Sequence, residues 1–99
     1  MSDADHYVYV LRCADDTLYT GYTTDPARRV AEHDTGEGAK YTRGRTPVEL
    51  VHVERFDTKS GAMSREYAVK QLSRSEKESL VTGARVAAGR RLLPAEVLD

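Results

Sequence analysis

Two short β-favouring runs, Tyr7 to Arg12 and Leu18 to Tyr22, flank the turn-forming stretch Ala14-Asp15-Asp16-Thr17, and this arrangement constrains the fold more than any other feature of the chain. Val8 and Val10 alternate with Tyr7, Tyr9 and Leu11, so both faces of the first run carry side chains suited to pleated backbone. The spacing predicts an antiparallel hairpin with Tyr9 and Tyr19 on neighbouring strands. Four of the six tyrosines (Tyr7, Tyr9, Tyr19, Tyr22) fall within these sixteen residues. Tyrosines paired across strands pack well, at a few tenths to about 1 kcal/mol each. Gly21, directly after Tyr19-Thr20, adds a second reading, because glycine inside a strand marks a close approach of backbone or ligand. Tyr19-Thr20-Gly21 is therefore a candidate floor for a site.

Downstream, Asp25 or Thr24 can cap a helix that Pro26 opens, and Ala27, Val30 and Ala31 repeat at helical spacing to about His33. Residues 34–47 hold Gly36, Gly38, Gly44 and Pro47 without a period and read as a loop. Val48 to Phe56 reads as a third strand and Lys59 to Leu72 as a second helix. Ser73-Arg74-Ser75-Glu76 is a capping-box pattern opening a third helix, which Gly83 ends. The element order is β-β-α-β-α-α, an α+β arrangement. Residues 83–99 are expected to be a C-terminal extension, of structure not readable from sequence, with Arg85, Arg90, Arg91 and the apolar Leu92-Leu93-Pro94.

A chain of 99 residues has room for one core, so a single domain is expected over about residues 7–82. No run approaches the roughly 18 apolar residues that cross a bilayer. Met1-Ser2-Asp3-Ala4-Asp5 is acidic and lacks the apolar centre of an export signal. The lone Cys13 forms no intramolecular disulfide, and a cytoplasmic location is expected. The formal net charge of −1 argues at first against a polyanionic partner. The charge is unevenly spread, however: residues 1–39 carry three cations against eight anions, and residues 40–99 carry twelve against eight.

On the second helix Ala62, Met63, Val69 and Leu72 span an apolar sector, and Glu66 falls inside it. A carboxylate placed there needs a cation, a donor or a metal to offset its desolvation. An arginine-paired helix glutamate, with Arg65 near the sector's edge, is the plain alternative. On the first helix Arg29 and His33 stand four apart on one side, where they could grip a phosphate or simply form a solvated face. Lys40, Tyr41, Arg43 and Arg45 form a basic loop in which Tyr41 could stack on an exposed base. The chain has no Asn and one Gln, so amide readout of adenine is nearly absent. Shape or single-strand character, more than base sequence, is the expected cue for any nucleic acid it binds.

Tyr7-Val8-Tyr9, Tyr19-Thr20-Gly21, Arg29, His33 and Glu66, in that order and spacing, resemble the GIY-YIG nuclease superfamily. The resemblance is to its small stand-alone members, whose loop is similar to Gly38-Ala39-Lys40-Tyr41-Thr42-Arg43-Gly44. It implies a three-stranded antiparallel sheet flanked by helices, with the site on one sheet face. It further implies that Glu66 ligates one divalent cation, Mg²⁺ or Mn²⁺, weakly bound without substrate. Arg29 would bind phosphate, Tyr9 and Tyr19 would position and deprotonate water, and His33 would assist. Two positions depart from the pattern: Tyr7 stands where the family name has glycine, and Tyr22 where several members, such as the incision subunit of excision repair, have lysine.

The resulting expectation is a metal-dependent endonuclease hydrolysing DNA phosphodiester bonds in branched, nicked or single-stranded substrates. The alternatives are a non-catalytic nucleic-acid-binding module on the same fold and a protein-interaction domain using the Leu92-Leu93 tail.

Overall fold

The computed structural model describes residues 5–83 and the backbone of residues 90–92. Strand β1 (His6–Arg12) lies inside the sheet, antiparallel to β2 (Leu18–Thr23) on one side and to β3 (Glu49–Phe56) on the other. A fourth strand, β4 (Arg90–Leu92), pairs antiparallel with β3, giving the order β2-β1-β3-β4. The expected three antiparallel strands are present, and β4 extends them from the segment that sequence left open. Arg85, Leu93 and Pro94 lie outside the described residues, as do the side chains of Arg90, Arg91 and Leu92.

The two-sided character of β1 follows from helices covering both faces of the sheet. Tyr9 and Leu11 pack with Leu50 and Val53 on the side of α1 (Pro26–Asp34), with Tyr7, Tyr19, Val30 and Val48 against them. Val10, on the opposite face, packs with Val69 of α2 (Lys59–Lys70) and Leu80 of α3 (Arg74–Val81). Burying each such aliphatic side chain contributes roughly 1.5–3 kcal/mol. The helix starts follow their capping residues. Asp25 accepts from the Arg28 amide, Thr58 from the Gly61 amide, and Ser73 with Glu76 forms a complete capping box.

Two details differ from the sequence reading. The 34–47 loop contains one 3₁₀ turn, Lys40–Thr42, too short to leave a period. Met63, assigned to the apolar sector of α2, is 40% exposed. His52 and Glu54, which alternate with apolar residues on β3, are both buried. Because α2 covers that face, Glu54 accepts from His52 Nε2 at 2.7 Å and from both Arg65 Nε and Nη2, at 2.9 and 3.1 Å. Burial alone would raise the Glu54 carboxyl, but the His52 and Arg65 hydrogen bonds outweigh it and hold the group below its usual range.

Candidate active site

The hairpin register places Tyr9 opposite Gly21 and Leu11 opposite Tyr19, so both tyrosines lie on the α1 face of the sheet. Their rings are 6.4 Å apart between centroids. Gly21 has a specific steric reason: a Cβ there would stand 2.5 Å from the Tyr9 hydroxyl and 2.6 Å from Cζ. The close approach foreseen at this glycine is thus made by the Tyr9 ring itself.

Helix α1 lays His33 onto the pair. Its ring lies 5.8 Å from that of Tyr9 and 5.1 Å from that of Tyr19, and Nε2 is 2.8 Å from the Tyr9 hydroxyl. The Ala39 amide approaches Nδ1 at 3.3 Å, and the Thr42 hydroxyl, which donates to the Ala39 carbonyl at 3.0 Å, ties the same stretch of loop to the ring. Thr42 Oγ1, 2.7 Å from Nδ1, completes the ring's contacts. Gly38 permits this fold-back of the loop, since a Cβ there would collide with Nδ1 and Cγ of His33. His33 is fully buried, and burial, with Arg29 nearby, lowers its pKa and favours the neutral ring. Its ring is turned inward onto Tyr9 and is not presented at the surface beside Arg29.

Tyr9 is 1% exposed. Burial pushes its pKa up to about 12, against the pull of the neighbouring Arg29 guanidinium, while the charges of Tyr19 and Glu66 add to the rise. Arg29, partly exposed, donates to Glu32 at 3.0 Å. Its own pKa is raised first by Glu32 and also by Tyr9, which places the guanidinium between the two.

Glu66 reaches this group from α2, on the other side of the sheet, close enough to act on Tyr9 electrostatically. Its side chain is 14% exposed and pairs with Lys70 at 3.4 Å. The alternative of pairing with Arg65 does not occur, because Arg65 is held by Glu54. Among the described residues no group of three or more His, Cys, Asp or Glu side chains is gathered to hold a metal ion. Glu66 is the carboxylate that could hold one: it is mostly buried, and its ion pair among the described residues is to the half-exposed Lys70 ammonium. Mg²⁺ is commonly held by one or two carboxylates together with substrate phosphate oxygens and water.

The basic loop divides in two. Tyr41 stacks on Tyr19 at 5.6 Å, and the Arg45 guanidinium lies over the Tyr41 ring at 4.4 Å while also pairing with Asp15. Lys40 and Arg43 are exposed. Tyr22 faces away from Tyr9, since its cross-strand partner is Val8; its hydroxyl is 2.8 Å from His6 Nδ1. Sequence reasoning missed the roles of Thr42, Gly38 and Ala39 around His33, and the Glu54–Arg65 pair that fixes α2. The available signal was Arg65 itself, an arginine at the edge of an apolar sector, which requires an acidic partner.

Comparison with known proteins matches residues 5–79 to the GIY-YIG catalytic domain. A UPF0213 protein of Natronomonas pharaonis is 78% identical over 78 residues, covering 79% of this chain and 92% of that protein. One from Halobacterium salinarum is 69% identical over 75 residues, covering 76% of this chain and 97% of its own length. Among solved structures, the solution NMR structure of a UPF0213 protein from Bacillus halodurans is 56% identical with a TM-score of 0.53, over 79% of this chain and 83% of that one. An E. faecalis protein solved by the same method is 48% identical with a TM-score of 0.56, over 81% of this chain and 85% of its own. No helix among the described residues is long and apolar enough to cross a membrane. With three quarters of its length matched to the catalytic domain and its sheet, helices and tyrosine pair in the corresponding order, the chain belongs to the GIY-YIG family, a family of nucleases.

Proposed function

We propose that this protein is a metal-dependent endonuclease that hydrolyses DNA phosphodiester bonds, with a preference for single-stranded, nicked or branched substrates. The observation that carries the reading is the Tyr9 hydroxyl, buried between His33 and Arg29 and within electrostatic reach of Glu66. A phenol held between an imidazole and a guanidinium has one group that orients it and another that opposes the rise burial imposes on its pKa, and such a constellation marks functional sites more than plain packing cores. The proposed domain runs over residues 7–82, with residues 83–99 as an extension. The single Cys13 suits a reducing, cytoplasmic setting.

In this reading Tyr9 and Tyr19 hold the attacking water and take its proton. Tyr19, the more exposed of the two, faces the substrate, and His33 keeps the Tyr9 oxygen oriented. Arg29 supplies a fixed positive charge for the oxygens of the phosphoryl transition state. Glu66 would hold one Mg²⁺ or Mn²⁺, which supplies positive charge to the scissile phosphate and offsets the carboxylate's opposition to a tyrosinate. With its pKa near 12, Tyr9 stays protonated at neutral pH in the free protein. Arg29 alone does not overcome the effect of burial, so ionisation depends on cation and substrate together. Gly21 makes room for the Tyr9 ring, and Lys40 and Arg43 are the exposed cations that approach the strand. Tyr41 and Arg45 form a braced stack behind them.

The test is cleavage of labelled single-stranded, flap, junction, nicked and intact duplex DNA with Mg²⁺ or Mn²⁺. Cutting of the first four over intact duplex is expected. Binding without cutting would instead favour a non-catalytic module, for which the high Tyr9 value and Tyr22 in place of lysine are the supporting observations.

A further inference from the structure

Beside Arg29, at the start of α1, an open cleft of about 200 Å³ is lined by Thr23, Thr24, Asp25, Arg28, Arg29 and Glu32. Arg28 and Arg29 leave the helix about 100° apart, yet both turn to one carboxylate: Glu32 accepts from Arg28 Nε at 3.1 Å and from Arg29 Nη1 at 3.0 Å. Asp25, the other acid of the cleft, is engaged in capping the Arg28 amide at 3.2 Å. A planar anion held by two guanidinium groups has the geometry by which arginines bind phosphate. Arg29 also adjoins Tyr9, so one side chain is common to the cleft and the tyrosine site.

We infer that this cleft seats a second backbone phosphate of the substrate strand, next to the phosphate at Arg29 and Tyr9, and that Glu32 occupies the seat in the free protein. The inference rests on the nuclease reading above. Arg28, with a side chain 76% exposed, loses little on exchanging Glu32 for a phosphate oxygen. In the free protein two arginines and two carboxylates leave the cleft electrically neutral. Displacing Glu32 turns it into a cationic seat only when a phosphate is there to fill it. This fits a chain of net charge −1 that must still hold a polyanion at one place.

The test is binding of a fluorescent single-stranded oligonucleotide by anisotropy, without divalent metal and over a range of salt, for wild type and three variants. Loss of one phosphate contact lowers the slope of log affinity against log salt by about 0.7 on a single strand, and Arg28→Gln is expected to show that decrease. Glu32→Gln is expected to bind roughly threefold to tenfold tighter than Glu37→Gln, which makes the same charge change on the following exposed loop. A wild-type slope in Arg28→Gln, or equal affinities for Glu32→Gln and Glu37→Gln, overturns the inference. Cleavage by the wild-type chain, measured in parallel with Mg²⁺, separates the two readings. If it cuts while the variants show no such differences, only the phosphate seat falls; if it neither binds nor cuts, the nuclease reading falls with it.

Discussion

The hydroxyl of Tyr9 and Nε2 of His33 lie 2.8 Å apart, and both side chains are buried beneath α1. Nδ1 of the same ring meets the Ala39 amide at 3.3 Å and Thr42 Oγ1 at 2.7 Å, so the loop that carries Gly38 fixes the orientation of the imidazole that meets the phenol.

Tyr9→Phe removes the hydroxyl and leaves His33 Nε2 buried without that partner. The expected result is a loss of about 1–3 kcal/mol of stability and a fall in single-turnover cleavage rate of about 100-fold or more, the scale of a lost general base. Urea denaturation and a quenched cleavage assay on the same preparation check both. A normal rate would remove Tyr9 from the chemistry.

Gly21→Ala tests the packing that aims the phenol. Its Cβ would lie 2.5 Å from the Tyr9 hydroxyl, so the ring must move, at an expected cost of about 1–3 kcal/mol. Cleavage is expected to fall more steeply than oligonucleotide affinity. Equal losses in both would assign the glycine to binding.

His33 makes stability depend on pH. Burial lowers its folded pKa, so below about 6.5 the unfolded chain binds a proton that the folded chain does not. Stability is therefore full above that pH and declines as pH falls toward the folded value, at up to roughly 1.4 kcal/mol per pH unit. Urea midpoints measured from pH 8 to pH 5 are expected to show this decline in the wild type and a smaller one in His33→Gln. Parallel curves would contradict the assignment.

The Glu54–Arg65 pair and Glu66 separate structure from chemistry on neighbouring residues. Arg65→Ala leaves a buried carboxylate without its guanidinium and is expected to cost about 3–5 kcal/mol. Glu66→Gln breaks only the 3.4 Å contact to a half-exposed Lys70 and is expected to change stability by less than about 1 kcal/mol. Thermal or urea unfolding of the two variants distinguishes these outcomes.

Much of this was legible in the sequence because local rules agreed with the fold. The alternation in Tyr7–Arg12 and Leu18–Tyr22 marked the hairpin, and Asp25, Pro26, Ser73 and Glu76 marked helix starts that their observed hydrogen bonds explain. His52 and Glu54 were not legible, because alternation reveals a strand's two faces without saying that both are covered. The burial of His33 was equally hidden, since it depends on Gly38, Ala39 and Thr42 folding back from a loop with no period. Gly21 was noticed as a close approach, but the identity of the approaching group, Tyr9, required the register.

The most direct measurement compares wild type with Glu66→Gln on a single-stranded or flap DNA in Mg²⁺ or Mn²⁺, following both cleavage and binding. The predicted result is metal-dependent cutting by the wild type, and binding without cutting by a variant of near-normal stability. Cutting by Glu66→Gln at the wild-type rate, or no cutting by the wild type of any DNA that it binds, contradicts the proposed metal-dependent nuclease.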